Sequence, residues 1–345
     1  MDSPRTNPDK MKPPPILRRD FLAASAALGG GLLMPPRAHA ANADRKQALI
    51  AITLDLEMSR NFPRWEDTNW DFEKGNLDDA TKRYAVEAAR RVKAHGGAVH
   101  FFLVARALEQ ENVDWLREII KDGHRVGNHT YDHVNVKARR LADIQFRFQR
   151  SPWLVDGKQP ADIIRENIRL ATVAMKARLG IAPSGFRTPG GFPVGLADRP
   201  DLQRMLLDLG FRWVSSKYPP HLNSQPGEEP GPEIFESLVK AQTAAQPFVY
   251  PSGLIEVPMS PISDLGAFRN GRWKLDPFLK AVRLAVERAV EQGSVFDFLC
   301  HPSCIGVIDP EFRTIDLICE LVNKAGDRAA LVNLETVARR AGQEG

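Results

Sequence analysis

Ala48-Leu49-Ile50-Ala51-Ile52-Thr53-Leu54-Asp55-Leu56-Glu57 is the stretch that decides the fold, an apolar run closing on two acids. Beyond it, residues 81–95 have helical period, with Tyr84, Ala85, Ala88, Ala89 and Val92 on one face and a stop at Gly96-Gly97, the chemistry of a helix C-cap. A second apolar run follows at 98–104. The same alternation continues along the chain. Further strands are expected at 124–128, 184–187, 211–215, 254–258, 294–300 and 330–333, with helices at 114–121, 163–179, 201–209, 276–292 and 310–325. Strands separated by helices of this length imply a parallel sheet, and seven or eight such units close most easily as a barrel.

Two stretches break the rhythm, 58–79 and 217–253, and each follows a strand. In a parallel barrel the loops after strands build the mouth, so both insertions are expected to be lids or substrate walls. Nothing divides residues 45–340 into two domains. Of the 345 residues, 47 are Lys or Arg and 43 are Asp or Glu, and six of those bases and three of those acids fall within residues 1–40. A nearly balanced remainder gives no basis for a nucleic-acid partner.

Residues 1–40 read as an address. Arg18-Arg19-Asp20-Phe21-Leu22 leads into an apolar run that ends at Ala38-His39-Ala40, the pattern of a removable twin-arginine signal peptide recognised by the twin-arginine export machinery. The run 21–34 is shorter than the roughly 20 residues of a membrane-spanning helix, and no other stretch is long and apolar enough to span. A periplasmic or extracellular location is therefore expected. Three cysteines, Cys300, Cys304 and Cys319, argue against a scaffold built on disulfides.

The informative polar residues fall at strand ends. A period of two sends Asp55 and Glu57 to the same side, and two carboxylates there require a cation or a donor. His129 and His133 stand four apart in Gly127-Asn128-His129-Thr130-Tyr131-Asp132-His133, a spacing that on a helical turn lets two imidazoles share a metal. Joined to a carboxylate from a neighbouring strand they form a set of two histidines and one acid with open positions. Arg187, in Gly185-Phe186-Arg187-Thr188-Pro189-Gly190-Gly191, is placed to orient a carboxylate, and Gly190 lets backbone approach a ligand. His301 follows the apolar run 294–300.

Asp55 with Glu57, His129-Thr130-x-x-His133, Arg187-x-Pro189-x-Gly191 and Leu299-x-His301, in this order on a βα framework, resemble the polysaccharide deacetylases of carbohydrate esterase family 4. The resemblance spans about residues 45–335 and implies an α/β fold, an irregular (β/α)7-type, TIM-like barrel in a single domain. It also implies metal-dependent hydrolysis of an N- or O-acetyl group on a glycan such as peptidoglycan or a chitin-like polymer. This sequence departs from the family pattern in three places. Leu56 separates acids that are usually adjacent, and the second is a glutamate, as in a branch with some peptidoglycan deacetylases and allantoinase-like hydrolases. Gly190 replaces an aromatic residue. The fourth block, usually an Asp near a Trp, is reduced to Phe211-Arg212-Trp213-Val214-Ser215-Ser216, so the pattern does not identify the residue that orients His301, and Asp264 is only one candidate for it.

By this resemblance Glu57, His129 and His133 would hold a divalent metal, with Zn2+ favoured by two imidazoles and an acid and Co2+, Ni2+ and Mn2+ also compatible. Asp55, held by Arg187, would take a proton from water, and His301 would protonate the leaving group. Trp65, Trp70, Gly190 and Trp213 are expected on the substrate side; Trp153 shares with Trp65 and Trp70 the alternatives of sugar stacking and buried anchoring. Two other functions compete with deacetylation of an acetylated glycan: hydrolysis of a small non-peptide amide, and glycan binding without catalysis.

Overall fold

A strand sends alternate side chains to opposite faces, and the first strand shows what the two faces do here. The structure is a computed structural model that describes residues 46–58 and 74–344. Strand β1 (Ala48–Leu56) is buried along its whole length. Ile50, Ile52, Leu54 and Leu56 pack beneath the surrounding helices. Leu49 and Ala51 join a different cluster, with Phe102, Trp213, Val257 and Val295. Thr53 and Asp55 have the same parity and continue that inner row upward, so the inside of the barrel changes from apolar to charged along one strand.

The first crossover, helix α1 (Asp79–Ala94), begins at Asp78, whose carboxylate accepts from Thr81 N at 2.7 Å. It carries Arg91 and Lys93 in its last turn, where they complement the carbonyl end of the dipole. It delivers the chain to β2 (His100–Leu103), which pairs in parallel with the upper half of β1. Helix α2 (Asp114–Lys121) leads to β3 (Arg125–Asn128). A short helix α3 (Phe146–Arg150) and the long α4 (Pro160–Leu179) precede β4 (Gly185–Phe192). Helix α5 (Pro200–Asp208) and strand β5 (Trp213–Lys217) follow, then α6 (Pro232–Ala244), β6 (Phe248–Val249) and β7 (Ile255–Glu256). A π-helix (Leu265–Asn270) and helix α7 (Leu275–Gln292) lead to β8 (Val295–Cys300), on the other edge of β1. Helices α8 (Pro302–Ile308) and α9 (Arg313–Ala325), strand β9 (Ala329–Val332) and helix α10 (Leu334–Glu344) complete the chain.

The sheet order is β6-β7-β5-β4-β3-β2-β1-β8, with β9 beside the lower half of β1. All pairings are parallel except β6 with β7. The curl is joined past β7 by Ser260 N, which donates to Asp297 O at 2.9 Å. This is the expected α/β architecture, an irregular (β/α)7-type barrel in one domain. Leu334, Val337 and Ala338 of α10 plug its lower end.

Three expectations are corrected. The helix expected at 310–325 starts three residues later, at Arg313: Asp309 follows α8 and its carboxylate accepts from Arg313 N at 2.9 Å and Thr314 N at 2.7 Å, which sets the first turn of α9. The segment 217–253 contains α6 and β6 rather than loop alone. Trp213 is not a substrate residue: it is 1% exposed and packs edge-on against His100 and Phe102, 5.3 and 6.0 Å between ring centroids. Parity explains this, because Trp213 lies one inward step below Ser215 and so fills the barrel's lower layer. Trp65 and Trp70 lie outside the described residues, and Trp153 is 71% exposed, which removes the reading of it as a buried anchor. Cys300, Cys304 and Cys319 are free and buried.

Close packing around Trp213 gives a stability test. A Cβ on Gly185 would run into the Trp213 indole, so Gly185→Ala is expected to destabilise the protein by about 1–3 kcal/mol, the cost of overpacking a core. A lowered urea midpoint at unchanged slope is the expected readout; an unchanged midpoint would show that the indole can move aside.

Candidate active site

Six chain segments bring polar side chains to the upper half of the barrel. From β1 come Asp55 and, one inward step later, Glu57, both buried. His129 Nε2 lies 3.7 Å from Asp55 Oδ2 and 3.7 Å from Glu57 Oε2. His133 Nε2 lies 2.5 Å from Glu57 Oε2. One ligand atom from each of Glu57, His129 and His133 falls within 4.8 Å of the other two.

The two histidines do not sit on a helical turn as their spacing suggests. They flank a bend in which Thr130 and His133 have φ of +62° and +59°, an arrangement that β-branched threonine rarely adopts. The bend is held from both sides. Asn128 Oδ1 accepts from Thr130 N at 2.8 Å, and Asn167 Oδ1, from α4, accepts from Tyr131 N and Asp132 N, each at 2.9 Å. Asp132 in turn accepts from Asn167 Nδ2 and from Arg106 and Arg147.

Proton positions show what this set lacks. His129 Nδ1 lies 2.9 Å from Arg187 O; a carbonyl only accepts, so Nδ1 carries the proton. Burial lowers the His129 pKa, and the neutral ring therefore turns the lone pair of Nε2 towards Glu57. Burial also holds His133 neutral, with its pKa lowered to about 4. Burial works against the Glu57 charge, but His133 and Lys74 outweigh it and keep this carboxyl well below its ordinary value. Glu57 Oε2 is buried and accepts no well-directed hydrogen bond. Two imidazoles and a carboxylate that face one another fit a divalent cation.

Lys74 is a site residue for which the sequence carries no pattern. It is buried, and its Nζ donates to Glu57 Oε1, which leaves Oε2 turned to the histidines. On the other side of the mouth Arg187, wholly buried, donates from Nη1 to Asp55 Oδ1 at 3.1 Å and Thr53 Oγ1 at 2.8 Å. Its Nη2 donates to Asp297 Oδ2 at 2.5 Å and Ser215 Oγ at 3.1 Å. Asp297, another residue not anticipated, has its pKa raised to about 6 by burial, against the pull of Arg187.

His301 follows β8, and Asp264 is its partner. Asp264 Oδ1 lies 2.8 Å from His301 Nδ1, and Oδ2 accepts from His301 N at 2.8 Å. Burial opposes the imidazolium, but Asp264, Asp55 and Glu57 more than reverse this and raise the His301 pKa. When protonated, this ring, held at Nδ1, presents an Nε2–H donor, with Nε2 3.8 Å from Asp55 Oδ2 and 3.9 Å from Glu57 Oε1. Asp55, Glu57, Lys74, His129, His133 and His301 meet at the floor of a cavity of about 500 Å³, with Gly190, at φ +77°, in one wall and Tyr218, His221 and Asn223 in another. The segment after β5 thus forms a wall, as its position predicted.

Residues 76–205 match the family model described as Polysaccharide deacetylase. His129, His133, Arg187 and Gly190 lie inside that stretch; Asp55, Glu57, Asp264 and His301 lie outside it. No curated protein matches the chain. Solved structures with a similar fold include a protein of Mycobacterium smegmatis assigned to the polysaccharide deacetylases, at 16% identity and TM-score 0.55, covering 90% of this chain and 96% of its own. A protein of Pseudomonas aeruginosa PAO1 with the same assignment has 14% identity and TM-score 0.56, with 86% and 91% covered. The Puue allantoinase has 15% identity and TM-score 0.57, with 89% and 93% covered. The family match over residues 76–205 and the barrel formed by the described residues together bear out the resemblance to the polysaccharide deacetylases that the sequence displays.

Proposed function

We propose that the protein is a metal-dependent deacetylase that hydrolyses an N- or O-acetyl group on a glycan outside the cytoplasm. The observation that carries this reading is the convergence of Glu57, His129 and His133, flanked by Asp55 on Arg187 and by His301 on Asp264. A divalent cation held by these three residues would supply Lewis acidity towards the acyl oxygen and lower the pKa of water towards about 7.

The remaining steps belong to the side chains. Arg187 occupies Asp55 Oδ1 and leaves Oδ2 facing the floor of the cavity, so Asp55 takes the proton as water adds to the acyl carbon. His301 gives the proton on Nε2 to the departing nitrogen or oxygen, and the C–N or C–O bond breaks. Asp264 keeps that imidazole charged and aimed. Lys74 holds Glu57 Oε1 and so fixes which carboxylate oxygen meets the histidines. Delivery outside the cytoplasm rests on Arg18-Arg19 and the apolar run after them. A second reading, hydrolysis of a small amide, is favoured by the cavity walled by the segment after β5.

Metal content and hydrolysis, measured together, test the proposal. The protein is expected to retain about one divalent ion and to release acetate from acetylated chito-oligosaccharide or peptidoglycan; His129→Ala should lose both. Asp55→Asn should keep the ion and lose about 10²- to 10⁴-fold in kcat. Full activity after complete chelation would refute the scheme, and hydrolysis of allantoin but of no acetylated sugar would select the second reading.

The neutral state of His133 gives a pH test on the chelated protein. The unfolded chain protonates this ring near 6.5 and the folded one only at about 4, so the contribution to stability is whole above about pH 6.5 and is lost as the pH falls through 4. Urea midpoints between pH 7 and 4 should fall accordingly, and His133→Asn should flatten the slope. Export is tested by replacing Arg18 and Arg19 with lysine: the precursor should remain in the cytoplasm, and normal processing would exclude the twin-arginine route.

A further inference from the structure

The cavity keeps its acids on the floor, where each has a partner. Asp55 is held by Arg187 and Glu57 by Lys74. Its walls carry a cation that is not matched in this way. Arg269 lines the cavity and is half-buried. Its hydrogen bond runs from Nε to the neutral Asn270 Oδ1 at 3.2 Å, and among the described residues it forms no ion pair. The wall residues Tyr218, His221, Asn223 and Asn270 contain no acid.

The backbone here is also unusual. Arg269 lies on the π-helix Leu265–Asn270, which starts directly after Asp264, the partner of His301. π-Turns are rare and are frequent at functional sites. Here the π-turn is continuous with a catalytic partner and brings a guanidinium to the cavity that contains His301. A half-buried guanidinium with no counter-charge is costly to desolvate, and a planar fork of donors matches a carboxylate. A neutral glycan would leave that fork unpaired.

We infer that the substrate carries a carboxylate on or next to the acylated sugar, and that Arg269 binds it. This specifies the substrate class of the deacetylase proposed above and rests on that reading. Arg269 acts on binding and takes no part in the proton transfers assigned to Asp55 and His301, so its removal should change KM and spare kcat.

The experiment compares a disaccharide bearing N-acetylmuramate, whose ether-linked lactyl group supplies the carboxylate, with its carboxamide analogue and with the N-acetylglucosamine disaccharide. The metal-loaded wild type should favour the carboxylate in kcat/KM by about 10- to 100-fold, the range for a hydrogen-bonded charge. Arg269→Gln should abolish this preference by raising KM for the carboxylate alone, and Arg269→Lys should retain part of it. Equal hydrolysis of acid and carboxamide by the wild type, or equal slowing of both by Arg269→Gln, would overturn the inference. If none of the three is hydrolysed, the deacetylase reading fails separately. Calorimetry on the same ligands then decides: tighter binding of the acid, lost in Arg269→Gln, supports the carboxylate site, and equal binding refutes it.

Discussion

The guanidinium of Arg187 fixes the upper half of the barrel. It is wholly buried and ties four strands together, through Thr53 and Asp55 of β1, its own β4, Ser215 of β5 and Asp297 of β8. Its flat face lies over the Phe102 ring of β2, 4.3 Å from the centroid, so a fifth strand packs against the same group. Removing one partner from a buried charge network costs about 3–5 kcal/mol because the other charges are stranded. Arg187 therefore sets strand positions and, with the same atoms, the direction of Asp55. Its backbone carbonyl also holds the His129 ring, so one residue orients groups on both sides of the candidate metal position.

That network places two carboxylates around one guanidinium, and the excess negative charge is accommodated by protonation equilibria. Asp297 is displaced upwards to about 6 and so bears part of the cost of burial, deep beside Thr53, where no chemistry is required of it. Higher in the mouth, charge is matched by other means: Lys74 on Glu57, and on Asp264 the ring of His301, whose pKa is raised. The two histidines nearest Glu57 are kept neutral by burial. Neutral imidazoles beside an ionised acid are the protonation states that metal ligation requires, and they are present here in the protein alone.

Much of this was legible in the sequence, and the reasons for the remainder are physical. Strand β1 and helix α2 occupy the residues that the alternation of apolar runs and helical segments predicted, and period two placed Asp55 and Glu57 on one side. Asp297 follows the same rule, since Val295, Asp297 and Leu299 share a parity, but an acid between phenylalanines was hidden by the apolar run. Helix α6 also left a signal: it starts at Pro232, and Ile234, Phe235, Leu238, Ala241 and Gln242 form its buried stripe. Its setting among Pro, Gly and Glu obscured that stripe. Lys74 had no sequence signal, because its role depends on where a distant chain segment comes to lie. Trp213 was misplaced because its height in the barrel depends on strand register, which one strand's sequence does not reveal.

The backbone between the two histidines shows where conformational energy has been concentrated. Residues held in the left-handed region cost of order 1–3 kcal/mol each, and both Thr130 and His133 are there. A helical turn would satisfy the same i, i+4 spacing without that cost, but it would not leave the backbone N–H groups of residues 130–132 directed at Asn128 and Asn167. Those asparagines are themselves fixed: Asn128 Nδ2 donates to Ile168 O at 2.9 Å, and Asn167 shares Asp132 with two arginines. The bend is therefore over-determined by α4 and β3. The strain buys a fixed presentation of His129 and His133 to Glu57, at a bend where a small change of backbone angle would separate the three groups.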